Sequence, residues 1–384
     1  MEMLLPRYGA GALADVGPSL LASLGVGGAV DTLRLGEARG VCLLLVDGLG
    51  WRLLRAHGEE APFLSSLAKG SEPITAGFPA TTATSIAAIG TGLPAGRHGI
   101  VGYTFATGDG ELLNALSWRS HGERPQVDLR ERFVPEQAQP LPTVWQRAVD
   151  AGVRVVHAVP HDLAESGLTR AVMRGGDPHG VHALGDLAST AVTAMTGGGR
   201  SLCYAYHADL DLLGHVYGPG SFPWRLQLAH IDRLATAIAE GLPSDCLLVV
   251  TADHGMVMAS EHGRVDADTE PALREGIRLL GGEARVRYVY TENGATADVL
   301  AAWREVLGDR AWIVTRDEAV ATGWFGPVVD DRVRERIGDL VVAARAGTTV
   351  VRTVTERRLS RMLGHHGSLT EDEQLVPLLT VWGD

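Results

Sequence analysis

Val41–Trp51 reads VCLLLVDGLGW, a run of six apolar residues followed at once by an aspartate and two glycines. Such a run, rich in Val and Leu and without polar alternation, predicts a β-strand buried on both faces, as in parallel sheets covered by helices. Three further runs repeat the pattern, Val153–Val159, Leu202–Tyr206 and Cys246–Thr251, with helix-like stretches between them. In Trp224–Glu240, Ile231, Leu234 and Ile238 recur at helical spacing and leave Arg225, Asp232, Arg233 and Glu240 for the solvent side. The alternation predicts an α/β fold with a mostly parallel central sheet flanked by helices.

Sheets of this kind place ligands beyond the carboxyl ends of their strands. Asp47 stands at such an end, with Gly48 and Gly50 permitting close backbone approach. LCYAYHADLDLLGHVYGPG (Leu202–Gly220) sets Asp211 and His215 four residues apart. CLLVVTADHGM (Cys246–Met256) ends on adjacent Asp253 and His254, and LGHHGS (Leu363–Ser368) supplies His365 and His366. Each alone also suits a turn or a helix cap. Four loops bringing carboxylate and imidazole to one sheet edge suit divalent cations. Three Asp and three His make two three-ligand sites with room for substrate oxygen, the arithmetic of a catalytic binuclear centre. Zn2+ is the first choice for this donor set, and Mn2+ fits the same atoms.

GFPATTATSIAAIGTGLPAGRHGIVGY (Gly77–Tyr103) supplies a candidate nucleophile. Thr81 or Thr82, opening a helix of small residues, would meet the positive end of the helix dipole and free backbone N–H groups. Those conditions favour an alkoxide and an attacked phosphoryl oxygen. Either threonine also suits a plain helix cap.

Between 256 and 361 the pattern changes. Arg285–Thr291 and Ala311–Thr315 are strand-like and Thr296–Leu307 is helix-like, a small βαβ-like unit. Chemistry-bearing residues lie on both sides of it, so it reads as an inserted α+β cap, with 1–255 and 362–384 forming the catalytic core. Thr104–Pro142, rich in Arg, Glu and Pro, reads as a mobile substrate loop.

The 384 residues carry 34 Lys and Arg against 46 Asp and Glu, a net charge of −12 that opposes binding to polymeric nucleic acid. A small phosphate ester, a nucleotide included, is the expected partner. Cys42, Cys203 and Cys246 all fall in apolar runs without metal-ligand spacing, which suits buried thiols in a reducing compartment. The N-terminal MEMLLPRYGAGALADVG lacks a basic region before its short apolar stretch, and Pro6 interrupts it. No run reaches the roughly 20 apolar residues of a membrane span. A soluble cytoplasmic protein without a membrane partner is expected, and the sequence carries no signal for oligomeric state.

VDGLG at Asp47, the FPATTATS…GTGLPAGRHGI block, DLLGHVYGP, TADHG and the late HHGS, in that order, resemble the motifs of type I phosphodiesterases/nucleotide pyrophosphatases of the alkaline phosphatase superfamily. The resemblance runs from about Val41 to Leu369 and is weakest over 256–361. It implies an alkaline-phosphatase-like core and hydrolysis of small phosphodiesters through a phospho-threonine intermediate. It also implies one metal on Asp47, Asp253 and His254, a second on Asp211, His215 and His366, and a nucleophile touching both regions. In that family the nucleophilic Thr precedes a TG pair by nine positions, which selects Thr82 by counting back from Thr91 and Gly92. The ligand Asp precedes the His of the GH pair by four, which selects Asp211 over Asp209. His366, followed by Gly367, matches the late HG pair and leaves His365 as a neighbour.

One departure concerns Tyr103, which stands where eukaryotic members carry an Asn that helps hold the phosphoryl group. The sulfatase context C/S-x-P-x-R is absent. Phosphomonoesterase, phosphonate hydrolase and phosphomutase activities are the alternatives within the superfamily. The remaining histidines read as structural, with His98 in the RHG turn the exception. FPATTATSIAAIGTG contains no Lys or Arg, whereas Trp51, Phe78, Tyr103, Tyr217 and Trp224 offer apolar approaches. That contrast points to diesters over monoesters.

Overall fold

A computed structural model describes residues 2–122 and 125–384. Five parallel strands build the central sheet: β1 (Gly40–Val46), β2 (Arg154–Pro160), β3 (Asp177–Val181), β4 (Ser201–His207) and β5 (Cys246–Thr251). The C-terminal strand Leu378–Trp382 adds antiparallel to β5, giving the order C-terminal strand, β5, β1, β4, β2, β3. Every residue of β1, β4 and β5 is buried, as expected for strands covered on both faces.

Register positions the chemistry. Leu45 of β1 lies opposite Thr251 of β5, and Val46 lies opposite His207 of β4. The Asp47 N–H then donates to the His207 carbonyl at 2.9 Å, so the ladder extends one residue past the strand. The segments after β1, β4 and β5 therefore emerge side by side at one sheet edge.

Helices α1 (Thr82–Thr91), α2 (Asp209–Tyr217) and α3 (Phe222–Gly241) flank this sheet. The Ser85 hydroxyl of α1 donates to the Asp253 carbonyl at 2.7 Å, which pins the helix to the loop after β5. Ile231, Leu234 and Ile238 of α3 are buried as predicted. Asp232 is buried too, against expectation. Its carboxylate accepts the N–H groups of Phe63 and Leu64 at 3.2 and 2.8 Å and so caps the helix Pro62–Ala68. Helical spacing reports which face a residue occupies and is blind to a partner of that kind.

A second sheet contains β6 (Ile277–Glu283), β7 (Val286–Thr291), β8 (Ala311–Thr315) and β9 (Leu340–Ala344), with α4 (Thr296–Leu307) linking β7 to β8. Its order is β6, β7, β9, β8, with every neighbour antiparallel, so β9 lies between the two strands of the expected βαβ-like unit. Alternation divides its side chains between two cores. Val286, Tyr288, Tyr290, Val341 and Ala343 join the main core, while Val289, Leu340 and Val342 pack with Trp303 and Leu307 in a smaller one. Two buried ion pairs add to this junction. Arg285 pairs with Glu373 at 2.6 Å, and Arg287 pairs with Glu356 at 2.8 Å.

Thr104–Pro142 is built, not structureless. Thr104–Ala106, Leu112–Asn114 and Arg119–Ser120 form an antiparallel sheet, and the buried Trp118 donates its indole N–H to Phe133 O at 2.7 Å. Glu123 and Arg124 of that segment lie outside the described residues. No described helix is long and apolar enough to cross a membrane.

Candidate active site

Asp47, Thr82, Asp211, His215, Asp253, His254 and His366 converge at the sheet edge. Thr82 is the first helical residue of α1, and Thr81 is its extended N-cap. The Thr82 hydroxyl lies 3.5 Å from both carboxylate oxygens of Asp47 and 3.3 Å from His254 Nε2. Thr81 turns away and donates to Glu283 Oε2 at 3.3 Å. Thr82, the threonine that the family spacing selected, thus lies against Asp47 and His254, and Thr81 lies against Glu283.

Asp47, Asp253 and His254 offer ligand atoms all within 4.8 Å of one another. His254 Nε2 is 3.4 Å from Asp47 Oδ1 and 3.3 Å from Asp253 Oδ2. The second expected set meets pairwise, with His215 Nε2 3.2 Å and His366 Nε2 3.8 Å from the two oxygens of Asp211. The tighter grouping around Asp211 takes His254 and His366, not His215, so the two sets abut through His254.

The three imidazoles share one device. His254 Nδ1 faces the Gly255 carbonyl at 2.9 Å, His215 Nδ1 faces Gly364 O at 2.7 Å, and His366 Nδ1 faces Ala80 O at 3.0 Å. A carbonyl only accepts, so each Nδ1 carries a proton and each Nε2 is turned to the site. Two glycines permit the close packing. Gly48 has φ +76°, and a Cβ there would sit 3.0 Å from Asp211 Cα. A Cβ on Gly364 would sit 2.4 Å from Gly214 O, which would push its own carbonyl away from His215.

The charges are unbalanced within the protein. Burial, then Asp253 and Asp211, push the Asp47 carboxyl well above its usual range, although the Tyr206 hydroxyl donates to it. Burial also acts on Asp211, yet His215, His366 and His254 outweigh it and hold that carboxyl well below the usual range. For His215 burial lowers the pKa, and Asp211 reverses the effect and pushes it up to about 9. Asp211 Oδ1 and Asp253 Oδ2 are buried without a hydrogen-bond partner. Buried carboxylates with unmet oxygens beside pre-oriented imidazole lone pairs are a donor set that fits divalent cations.

Two clefts open from Thr82, and both are also lined by Leu116, Asp211 and His215. The first, about 350 Å³, has apolar walls from Ile86, Val159, Leu168 and Met173. The second, about 220 Å³, is walled by Tyr103, Glu283, Glu356, Met362 and His365. Neither is lined by a Lys or Arg among the described residues. Of the aromatics expected at the approaches, Tyr103 is there. Phe78 and Trp224 are fully buried core, and Trp51 and Tyr217 line neither cleft. His98 is also structural: it is buried and accepts the Ile100 N–H at 3.1 Å. Sequence reasoning missed Tyr206, which lies within a strand, and Glu283, which follows two glycines where no motif guides the eye.

Comparison with known proteins bears on the fold and the family. Phosphopentomutase of Anaeromyxobacter dehalogenans is 31% identical over 175 residues, a match that spans 44% of this chain and 42% of that protein. Murine ectonucleotide pyrophosphatase/phosphodiesterase 5, solved as an inactive variant with AMP, superposes with a TM-score of 0.66 at 16% identity over 88% of this chain and 87% of that one. Phosphonoacetate hydrolase of Sinorhizobium meliloti with phosphonoformate gives 0.65 at 19% identity, over 89% and 90%. These two likenesses establish the alkaline-phosphatase-like fold. Residues 41–369 match one family along most of the chain, and on that match the protein belongs to the type I phosphodiesterase/nucleotide pyrophosphatase family.

Proposed function

We propose that the protein hydrolyses small phosphodiesters, nucleotide-like ones included, with Thr82 as the nucleophile. The observation that carries this reading is the position of the Thr82 hydroxyl, between Asp47 and His254 at the N-terminus of α1. Asp47, Asp253 and His254 would hold one divalent cation, and Asp211, His215 and His366 a second, with Zn2+ the first choice for these donors. When bound, the cations would supply the positive charge that ionises the Thr82 hydroxyl and offsets charge on the phosphoryl oxygens.

The chain's own residues account for the remainder. Thr82 Oγ forms a bond to phosphorus as the ester P–O bond breaks and the alcohol leaves. The first N–H groups of α1 have no helical carbonyl partners, and the helix terminus favours the anionic phosphoryl group. Water then attacks the phospho-threonine at phosphorus and restores the hydroxyl. The apolar cleft suits an organic ester arm.

A mutase or transferase would pass the same phosphoryl group to an alcohol, and the likeness to phosphopentomutase motivates that second reading. Among the described residues neither cleft has a Lys or Arg in its wall, which weighs against it, because a dianionic monoester calls for such a partner. The three cysteines are free and buried, which supports a reducing, cytoplasmic setting. The test is an acid quench during turnover of a nitrophenyl diester by Zn2+-loaded protein, followed by peptide mass spectrometry. Phosphorylation at Thr82 supports the reading, and turnover without any modified threonine overturns it.

A further inference from the structure

We propose that the first cleft is a subsite for an uncharged alkyl or aryl arm, the substituent that stays on phosphorus, and that diesters carrying such an arm are preferred over nucleotide-like ones. The inference rests on the phosphodiesterase reading above and deepens it by naming the substrate class.

One connection of the chain builds much of the wall. Val159 lies near the end of β2, and Leu163, Leu168 and Met173 follow it before β3 begins. From α1 comes Ile86, the one residue of that helix that is not buried. It stands one helical turn after Thr82, so the two share a face. An arm packed on Ile86 therefore lies beside the attacking oxygen. In-line displacement sends the leaving oxygen to the far side of phosphorus, so the arm in this cleft is the one retained.

The polar groups of the wall outside the proposed metal centre are already engaged or covered. The Ser166 hydroxyl accepts the Thr169 N–H at 3.1 Å, and the Thr169 hydroxyl donates to the Leu163 carbonyl at 2.7 Å. The Tyr206 hydroxyl donates to Asp47, and that of Tyr204 is buried. No Lys or Arg lines the cleft among the described residues. A nucleoside would bring ribose hydroxyls and base amide groups to a surface with few partners for them, which is costly. Stacking would not compensate. A base needs one open ring face, and Tyr204 and Tyr206 are 2% and 6% exposed, whereas an alkyl chain gains from the edges of many side chains.

The mouth of the cleft has the same character. Leu116, Leu163 and Leu212 line it and remain 38%, 38% and 50% exposed. Three leucines left to water around one opening are covered when an apolar substituent lies against them. A volume of about 350 Å³ is at the lower end for small-molecule sites and suits one short chain or a single ring.

The test compares hexyl 4-nitrophenyl phosphate, methyl 4-nitrophenyl phosphate and thymidine 5′-(4-nitrophenyl) phosphate on Zn2+-loaded protein, below any micelle-forming concentration. Wild type is expected to favour the hexyl over the methyl ester by about tenfold or more in kcat/KM, since each methylene buried contributes about threefold. The thymidine ester is expected to be slower than the hexyl ester. Ile86→Gln and Leu163→Gln, both at positions with exposed surface, are each expected to lower the hexyl-to-methyl ratio by about threefold or more. A fall in either variant supports the subsite. Equal turnover of the hexyl and methyl esters, a thymidine ester that outruns the hexyl ester, or a ratio unmoved in both variants overturns the proposal. Calorimetric binding of the methyl esters of hexylphosphonate and methylphosphonate to Thr82→Ala separates it from the catalytic reading. Tighter binding of the hexyl ligand by a protein that turns nothing over supports the subsite alone, and equal binding rejects it.

Discussion

The imidazole rings of His254 and His366 stack with centroids 3.5 Å apart and planes inclined by only 12°. One ring follows β5 and the other arrives after the whole second sheet, yet each turns its Nδ1 to a backbone carbonyl. Burial, then His254, hold the His366 imidazole well below its usual pKa. Each ring therefore turns its Nε2 to the site, one for each proposed cation.

That arrangement predicts a metal count. Elemental analysis of active protein is expected to approach two divalent ions per chain, and chelation is expected to inactivate reversibly. Asp211→Asn and His366→Ala are each expected to lower the count by about one. Asp209→Asn is expected to leave it unchanged, because its carboxylate is exposed and 3.9 Å from His207. Full activity after complete metal removal would refute the centre.

Thr82→Ala is expected to lower kcat by about three orders of magnitude or more. The change in unfolding free energy is expected to stay near 1 kcal/mol or less, since the hydroxyl contributes little packing. Thr81→Ala is expected to retain catalysis within about tenfold, since its hydroxyl serves Glu283 and not phosphorus. Steady-state kinetics beside thermal unfolding of both variants checks the pair, and reversed phenotypes would refute the assignment.

Methyl 4-nitrophenyl phosphate is expected to be hydrolysed with kcat/KM at least about tenfold above that of 4-nitrophenyl phosphate. The monoester brings a second negative oxygen beside Asp47, Asp211 and Glu283, and among the described residues no arginine lines either cleft to receive it. A clear monoester preference would favour the phosphatase or mutase alternatives.

Acid is expected to loosen the second sheet through Glu356. Burial alone would raise this carboxyl, but Arg287 and His121 outweigh it and hold it well below the usual range. A depressed carboxylate pKa contributes stability that is present above the unfolded value of about 4.3 and lost as pH falls towards the folded value. Wild-type stability should therefore drop as pH falls below about 4.5. Glu356→Gln is expected to cost about 3–5 kcal/mol at neutral pH by leaving Arg287 unpaired, and to flatten that acid limb. Denaturant melts across pH 3–7 measure both effects.

The central strands were legible because burial on both faces writes an unbroken apolar run, as in Val41–Val46. The metal-site candidates were legible because polar residues directly after such runs are conspicuous, and family spacing distinguished Asp211 from Asp209. The second sheet was harder. Arg285 and Arg287 look like solvent-facing charges until Glu373 and Glu356 are brought to them from 88 and 69 residues away. Asp232 was misread for the same reason, since its partners are backbone N–H groups of another helix. Glu283 escaped notice because only a hairpin places it against Thr81, a relation without local periodicity.

The return of the chain to the sheet edge after β9 also has a temporal meaning. Asp47 is made more than three hundred residues before His366 and the Glu373 that anchors Arg285. A nascent or prematurely terminated chain lacks one donor of the proposed second cation and one wall of the junction beside Glu283. Hydrolytic competence on this reading is acquired only once His366 has been made, so a product terminated before it would carry the nucleophile without the means to use it.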